Sequence, residues 1–170
     1  MTKTLVLTLL GPDRPGIVES IAQTVSDHGG SWQESRMSQL SGHFAGLARI
    51  SCPANNIEPL SNALARASSN QLHIHLLPEL ENSPEPGSNF ELDVVGNDRP
   101  GIISQLTQTL RQNSANIVEI ETRLEPAPSS GIALFHTLAT ISLSSQSDPT
   151  TLISSLENLS PDLQISCVPA

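Results

Sequence analysis

The sequence is poor in cysteine, in aromatic residues and in basic residues. Two cysteines in 170 residues, Cys52 and Cys167, are too few for a disulfide framework and lack metal-ligand spacing. Three Phe, one Trp and no Tyr offer no platform on which nucleic-acid bases could stack. Eight Lys and Arg against 17 Asp and Glu leave a net charge of −9, which repels DNA and RNA. We therefore do not expect direct binding to nucleic acid.

Long hydrophobic runs are also missing. No apolar run approaches the roughly 20 residues that a membrane-spanning helix needs. The N-terminus has no charged start, long apolar stretch and small-residue cleavage site of the secretory type. The sequence therefore predicts a soluble, cytoplasmic protein without membrane contact. With 37% hydrophobic residues, the 170-residue chain can build one ordinary domain or two small ones.

An internal repeat divides the chain in half. Residues 11–18 (GPDRPGIV) recur 85 positions later as residues 96–103 (GNDRPGII), with six of the eight positions identical. Residues 44–52 align with 135–143, so the second copy is about six residues longer, an addition that we assign to a hairpin loop at 125–131. Between the copies, residues 79–89 are rich in Pro, Glu, Ser and Asn and are typical of a linker. We expect two modules, 1–78 and 90–170.

Each half shows the same order of predicted elements. Apolar residues alternate in the four predicted strands of each half, and they repeat at helical spacing in its two predicted helices. The order β-α-β-β-α-β, found twice, predicts an α+β fold of two ferredoxin-like modules, each an antiparallel four-stranded sheet with two helices on one face. The predicted elements begin near residues 5, 17, 32, 44, 57 and 72 in the first half and near 90, 102, 117, 133, 152 and 163 in the second. We expect the first helix of each half to end at a left-handed cap, at Gly29 or Gly30 in the first half and at Asn113 in the second.

The repeated loop suggests a small anion site at the start of a helix. We expect its aspartate to cap the helix, its proline to occupy the first turn, and its second glycine to let a ligand approach the backbone. Exposed amides at the positive end of a helix dipole favour a small carboxylate or phosphate. The residues concerned are Asp13, Pro15 and Gly16 in the first copy and Asp98, Pro100 and Gly101 in the second.

The DRPGI loop within a β-α-β-β-α-β unit resembles the ACT domain, a regulatory module that binds amino acids. The arrangement of two such modules without a catalytic domain is similar to that of the tandem-ACT repressors of the glycine cleavage system. The hairpin segments that carry this similarity are 36–38, 42–46, 116–117 and 122–127. The resemblance implies a ligand held where two modules pair, by the loop, the first helical turn and the start of the second strand. The ligand-binding residues it implies are Pro12, Asp13, Arg14, Gly16, Ile17 and Val18, and Asn97, Asp98, Arg99, Gly101, Ile102, Ile103 and Asn116.

The same resemblance implies a regulator that is not an enzyme and needs no cofactor. Its ligand would be a small amino acid, glycine first, and its partner a DNA-binding transcriptional activator; a homo-oligomer is possible. Because Ser31 and Trp32 stand where the second copy has Asn116 and Ile117, we favour the second site and consider whether the indole fills the first pocket or joins the core.

Two alternatives remain open. The modules could serve only for interaction, dimerising or docking on an enzyme through exposed sheet edges without a ligand of their own. An acylphosphatase-type enzyme shares this topology and places an arginine after the first strand. This sequence lacks the glycine-rich phosphate loop of that family, and an Asp lies beside both Arg14 and Arg99.

A metal site is a further candidate. His73 and His75 share a strand face, but no third metal ligand is near in sequence.

Overall fold

The chain consists of two compact units. The computed structural model describes residues 1–68, 71–80, 87–127 and 131–170. Unit 1 comprises Met1–Asn82 and unit 2 Ser83–Ala170. The division falls within the predicted linker. Residues 81–86 of this linker lie outside the described residues. The first strand of unit 2 begins at Ser88, two residues before the predicted domain start at residue 90.

Both units have the predicted fold. Each sheet places its first strand in the centre, and every pairing between neighbouring strands is antiparallel. The sheet orders are β2-β3-β1-β4 and β6-β7-β5-β8, which confirms two ferredoxin-like β-α-β-β-α-β modules. The elements are β1 Thr2–Pro12, α1 Ile17–Asp27, β2 Ser31–Leu40, β3 His43–Pro53, α2 Ile57–Ala67 and β4 His73–Pro78, then β5 Ser88–Asn97, α3 Ile102–Gln112, β6 Ala115–Pro126, β7 Ala133–Leu143, α4 Pro149–Glu157 and β8 Gln164–Pro169.

Each sheet buries one face beneath its two helices. In β1, Leu5, Leu7 and Leu9 are buried with helix residues such as Ile21 and Leu60. Successive side chains of a strand point to opposite faces, so the residues between these leucines lie on a face that the helices of the unit do not cover. Unit 2 is built in the same way around its own buried core. The helices therefore lie on one face of each sheet, as predicted.

The ends of the first helices differ slightly from the prediction. α1 ends at Asp27 and Gly29 follows with φ 70°, the left-handed residue expected there. In unit 2, α3 ends at Gln112, but Asn113 has φ −95° and the left-handed residue is Ser114, with φ 55°. The assignment of the left-handed position to Asn113 was wrong by one residue. Asn113 instead uses its side-chain amide to bond Thr109 O at 2.9 Å.

The first glycine of the repeated motif is required by close packing. A β-carbon at Gly11 would lie 2.7 Å from the backbone oxygen of Gln71. A β-carbon at Gly96 would lie 2.4 Å from Leu163 Cδ2. In both units the chain entering the last strand crosses directly over this glycine, so a larger residue would force either the backbone or a side chain to move.

Gly11→Ala should destabilise its unit more than Gly96→Ala. Overpacking costs about 1–3 kcal/mol, and we expect Gly11→Ala at the upper end because a backbone oxygen blocks the β-carbon, whereas the tip of Leu163 can rotate away. Hydrogen exchange of each unit in urea measures the two costs separately. A smaller cost at Gly11 than at Gly96 would contradict this explanation.

Candidate functional site

The two repeated loops are fixed in the same way. Each leaves the end of the central strand beside the tip of the neighbouring hairpin. The Asp13 N–H donates to Gly42 O at 2.9 Å, and the Asp98 N–H donates to Ala133 O at 3.0 Å. The repeated sequence therefore produces a repeated geometry, and the hairpin holds each loop in place.

The aspartates do not cap the helices. The N-cap residues are Gly16 and Gly101, with φ 85° and 86°, and neither helix has a side-chain cap hydrogen bond. In unit 2, the Ile102 N–H donates to Arg99 O at 3.3 Å and closes a turn with Pro100 and Gly101 in its centre. Proline followed by a left-handed glycine is the sequence signature of a type II turn.

The predictions for Asp13, Pro15 and their counterparts in unit 2 were therefore wrong. The proline lies in the turn before the helix and not in its first turn, and the aspartate lies three residues before the N-cap. The turn takes precedence because proline presets its own φ and glycine adopts a positive φ without steric cost.

The second glycine of the motif is required by conformation, and the space beside it is open. A β-carbon at Gly101 would meet no atom within 4 Å. At Gly16 the nearest such atom is Glu19 Oε2, at 3.8 Å. Tight packing therefore does not explain this glycine, and the open space leaves the backbone accessible to a ligand.

The start of each helix presents backbone rather than side-chain donors. Ile17 and Ile102 are buried, so their side chains belong to the core and only their main chain can serve a ligand. The first amides of a helix have no acceptor within the helix. Next to them Val18 and Ile103 are each 38% exposed and form an apolar margin. Such an arrangement can receive a small anion with a short apolar part.

The site of unit 1 contains an acidic group that unit 2 lacks. Glu19 lies in the first turn of α1 and lines a depression of about 280 Å³. The equivalent residue of the repeat is Ser104, and the first turn of α3, which the structure describes in full, has no acidic residue. The Glu19 carboxylate opposes the approach of an anion to the helix terminus. The depression is lined by Asp13, Arg14, Gly16, Ile17, Val18, Glu19 and Phe44.

An aspartate distant in sequence anchors the loop of unit 2. The Asn97 N–H donates to Asp162 Oδ2 at 2.9 Å, and the hydroxyl of Ser160 donates to the same carboxylate. These two hydrogen bonds, together with the positive charge of Arg99, lower the pKa of Asp162. No local pattern around Asp162 indicates this role, because 65 residues separate Asn97 from Asp162.

Unit 2 does not bring Asn116 to the loop. Asn116 is opposite Ser142 in β7, which in turn is opposite Asn89 near the start of β5. Asn97 is at the other end of β5, about 26 Å away at roughly 3.3 Å per residue. Within this unit, Asn116 therefore cannot contact a ligand held by residues 97–103.

In unit 1, Ser31 is the counterpart of Asn116, and Trp32 follows it where unit 2 has Ile117. Trp32 pairs with Ile50 in β3 and packs against the buried core. Of the two fates considered for the indole, it joins the core and does not fill a pocket at residues 12–18.

Pro12, at the end of β1, and Arg14 are exposed beside that loop.

Other candidate chemistry finds little support in the described residues. No cluster of three or more His, Cys, Asp or Glu side chains able to hold a metal is present in them, and His73 and His75 are both exposed. Burial raises the pKa of both Cys52 and Cys167, which favours the unreactive thiol. None of the described helices is long and apolar enough to cross a membrane.

Comparison with known families explains the two-unit plan. A family model described as ACT domain matches residues 3–76 and 92–124. The chain belongs to the ACT domain family. It is also 30% identical over 137 residues to the glycine cleavage system transcriptional repressor of Escherichia coli K12, an alignment that covers 78% of this chain and 70% of that protein. This relationship supports a regulatory role for this ACT protein.

Solved structures share the whole architecture. A crystal structure of a protein of unknown function from Galdieria sulphuraria has a TM-score of 0.84 and 28% identity, covering 100% of this chain and 99% of the other. A second, with the provisional name glycine cleavage system transcriptional repressor, has a TM-score of 0.69, 20% identity and the same coverage. At that identity, the second likeness shows the fold alone.

Asp162 should make unit 2 sensitive to acid. Its pKa is lowered in the folded state, so its ionised form stabilises the fold above the unfolded-state pKa of about 3.9. This contribution is lost as the pH falls through the lower folded-state value. Asp162→Asn should therefore weaken unit 2 at pH 7, and the difference from the unmodified protein should shrink below about pH 4.

Hydrogen exchange in urea between pH 2.5 and 7 tests the role of Asp162, with the core amides of unit 1 as the internal control. The stability of unit 1 should be the same in both proteins at each pH. A difference in unit 2 that is independent of pH would contradict the role given to the carboxylate charge.

Proposed function

We propose that this chain is a non-enzymatic regulator that binds a small amino acid, glycine first, at residues 97–103. The observation that carries this proposal is the start of α3, where the turn around Gly101 leaves first-turn amides beside open space. Membership of the ACT domain family and the similarity to the glycine cleavage system transcriptional repressor of Escherichia coli support the same function.

The ligand carboxylate would be held by main-chain groups of unit 2. The Ile102 N–H already donates to Arg99 O, so the donors would be the next first-turn amides, those of Ile103 and Ser104. The positive end of the α3 dipole adds a favourable field. Asp98, exposed in the same loop, offers a carboxylate for the ligand ammonium. A ligand as small as glycine leaves the margin formed by Ile103 uncovered, whereas larger aliphatic amino acids would contact it.

The two units should bind with unequal affinity. In unit 1, the carboxylate of Glu19 lies near the helix terminus where a ligand carboxylate would bind, and like charges repel each other. Unit 2 has Ser104 there. This difference favours the second site on electrostatic grounds.

Control of transcription would be indirect. A net charge of −9 opposes contact with DNA, so in this proposal the chain acts in the cytoplasm on a DNA-binding activator of the glycine cleavage genes. Bound glycine can change that interaction only if its affinity differs between the free and the partner-bound protein.

Exchanging the residues at the third helical position tests the site directly. Ser104→Glu should weaken glycine binding at least tenfold in isothermal titration calorimetry, because it places a carboxylate at the helix terminus. The reciprocal Glu19→Ser should strengthen binding at unit 1 or add a second binding event. Gln105→Glu makes the same charge change one residue further along and serves as the control.

The outcomes test the site at residues 97–103 separately from the sensor function. Weakening by Ser104→Glu but not by Gln105→Glu supports the site at residues 97–103. Equal effects of both variants would contradict the site. Absence of any heat with glycine, alanine or serine at millimolar concentration would contradict the sensor function and leave the interaction module as the alternative.

A further inference from the structure

The loop of unit 2 is attached to its surroundings at two consecutive amides. The Asn97 N–H donates to Asp162 Oδ2 at 2.9 Å, and the Asp98 N–H donates to Ala133 O at 3.0 Å. Asp162 lies just before β8 and Ala133 begins β7, and these two strands flank β5 in the sheet. The loop is therefore held from both sides of the central strand.

Unit 1 cannot form the first of these two attachments. Pro12 is the counterpart of Asn97, and proline has no N–H to donate. The strand registers make Gln71 the counterpart of Asp162, so a neutral amide side chain replaces the carboxylate. The two units share only the attachment to the hairpin. Donor and acceptor therefore differ together between the two copies.

The difference lies in side chains, because the backbone passes the loop in the same way in both units. The segment that enters the last strand crosses over Gly11 in unit 1 and over Gly96 in unit 2. A β-carbon at Gly96 would lie 3.6 Å from Asp162 Oδ2, so this carboxylate is next to the loop backbone. Leu163 packs against the core of unit 2 and holds the segment there.

The Asp162 carboxylate is itself held in one orientation. The Ser160 hydroxyl donates to Oδ1, while Oδ2 accepts the Asn97 N–H. The hydrogen bond from Ser160, the hydrogen bond from Asn97 and the positive charge of Arg99 lower the pKa of Asp162, so it is ionised at neutral pH. The charge of Arg99 also offsets that of Asp162, which limits the negative charge that this anchor adds beside the loop.

The anchored amides precede the part of the loop that faces a ligand. Residues 97 and 98 lie directly before the turn from Arg99 to Ile102, and this turn sets the direction of the first-turn amides of Ile103 and Ser104. A loop that already has the binding conformation loses less entropy when the ligand arrives. A loop that has it only part of the time binds with an affinity reduced by that fraction.

We propose that Asp162 is a positioning residue for the site at residues 97–103. By holding the Asn97 amide, it keeps the loop in the conformation that presents the first-turn amides of α3 to a small amino acid. This inference rests on the proposed function. It adds a second reason, besides Ser104 in place of Glu19, for tighter binding at unit 2. Asp162 acts through the loop and not by contact with the ligand.

Isothermal titration calorimetry of the full chain with glycine tests the anchor from both ends. Asp162→Ala removes the acceptor, and Asn97→Pro removes the donor and reproduces Pro12 of unit 1. Each should raise the Kd for glycine about fivefold, as for a loop that is in the binding conformation about a fifth of the time. The double variant should bind no more weakly than either single one, because both remove the same hydrogen bond. Asn97→Ala keeps the N–H and should bind more tightly than Asn97→Pro.

Asp148→Ala is the matched control for stability. The Asp148 carboxylate lies in the same unit and caps α4 by accepting from the Thr150 and Thr151 amides, away from the loop. Its loss should lower the stability of unit 2, measured by hydrogen exchange in urea, and leave the affinity for glycine unchanged. Asp162→Asn keeps an acceptor oxygen for the Asn97 N–H and should retain more affinity than Asp162→Ala.

Amide hydrogen exchange without ligand measures the order of the loop directly. Asp162→Ala should speed the exchange of the Asp98 amide and leave that of Asp13 in unit 1 unchanged. The double variant Pro12→Asn, Gln71→Asp supplies unit 1 with both halves of the anchor. In that variant the Asp13 amide should exchange more slowly than in the unmodified chain.

Four results would overturn the inference. The first is an unchanged affinity for glycine in Asp162→Ala, which would leave the proposed function intact. The second is additive weakening by Asn97→Pro and Asp162→Ala. The third is an equal loss of affinity in Asp148→Ala, and the fourth is unchanged exchange of the Asp98 amide in Asp162→Ala. Absence of glycine binding to the unmodified chain would contradict the proposed function and this inference together.

Discussion

The architecture of the candidate site depends on one backbone conformation. A glycine with φ near +85° precedes the first helix of each unit and allows the chain to turn sharply out of the central strand. Proline before it presets the turn, and the next isoleucine returns to the core. The consequence is a helix terminus that faces open space while its first side chain is buried. The remaining features of the loop, from the hairpin contact to the Asp162 anchor, hold this conformation in place.

Duplication has given two sites with one backbone and different charges. Residues that set the backbone are the same in both copies, because each is required by the turn or by close packing. Residues that the fold does not constrain differ: Glu19 against Ser104 at the helix start, and Val6 against Glu91 on the sheet. The proposed difference in ligand affinity between the two sites lies in these unconstrained positions.

The sequence predicted the fold well because local and long-range signals agreed. Strand alternation, helical spacing and the repeat all indicated the same β-α-β-β-α-β order, and the structure confirms it. Predictions at the loop were less successful. Asp98 was taken for a helix cap because aspartate before an apolar run is typical of one, but the Pro-Gly pair that follows it forms a turn and places the helix start three residues later. Asn116 could not be located without knowing that β6 begins at the far end of the sheet, and Asp162 reaches the loop only through the tertiary fold.

The most direct test of the central claim is a nuclear magnetic resonance titration of the isotope-labelled chain with glycine. Occupation of the helix terminus predicts that the amide signals of Gly101, Ile102 and Ile103 shift first and furthest, with saturation at millimolar ligand or below. Those of Gly16 to Val18 should shift less. Absence of shifts, or shifts confined to residues away from both loops, would contradict the account.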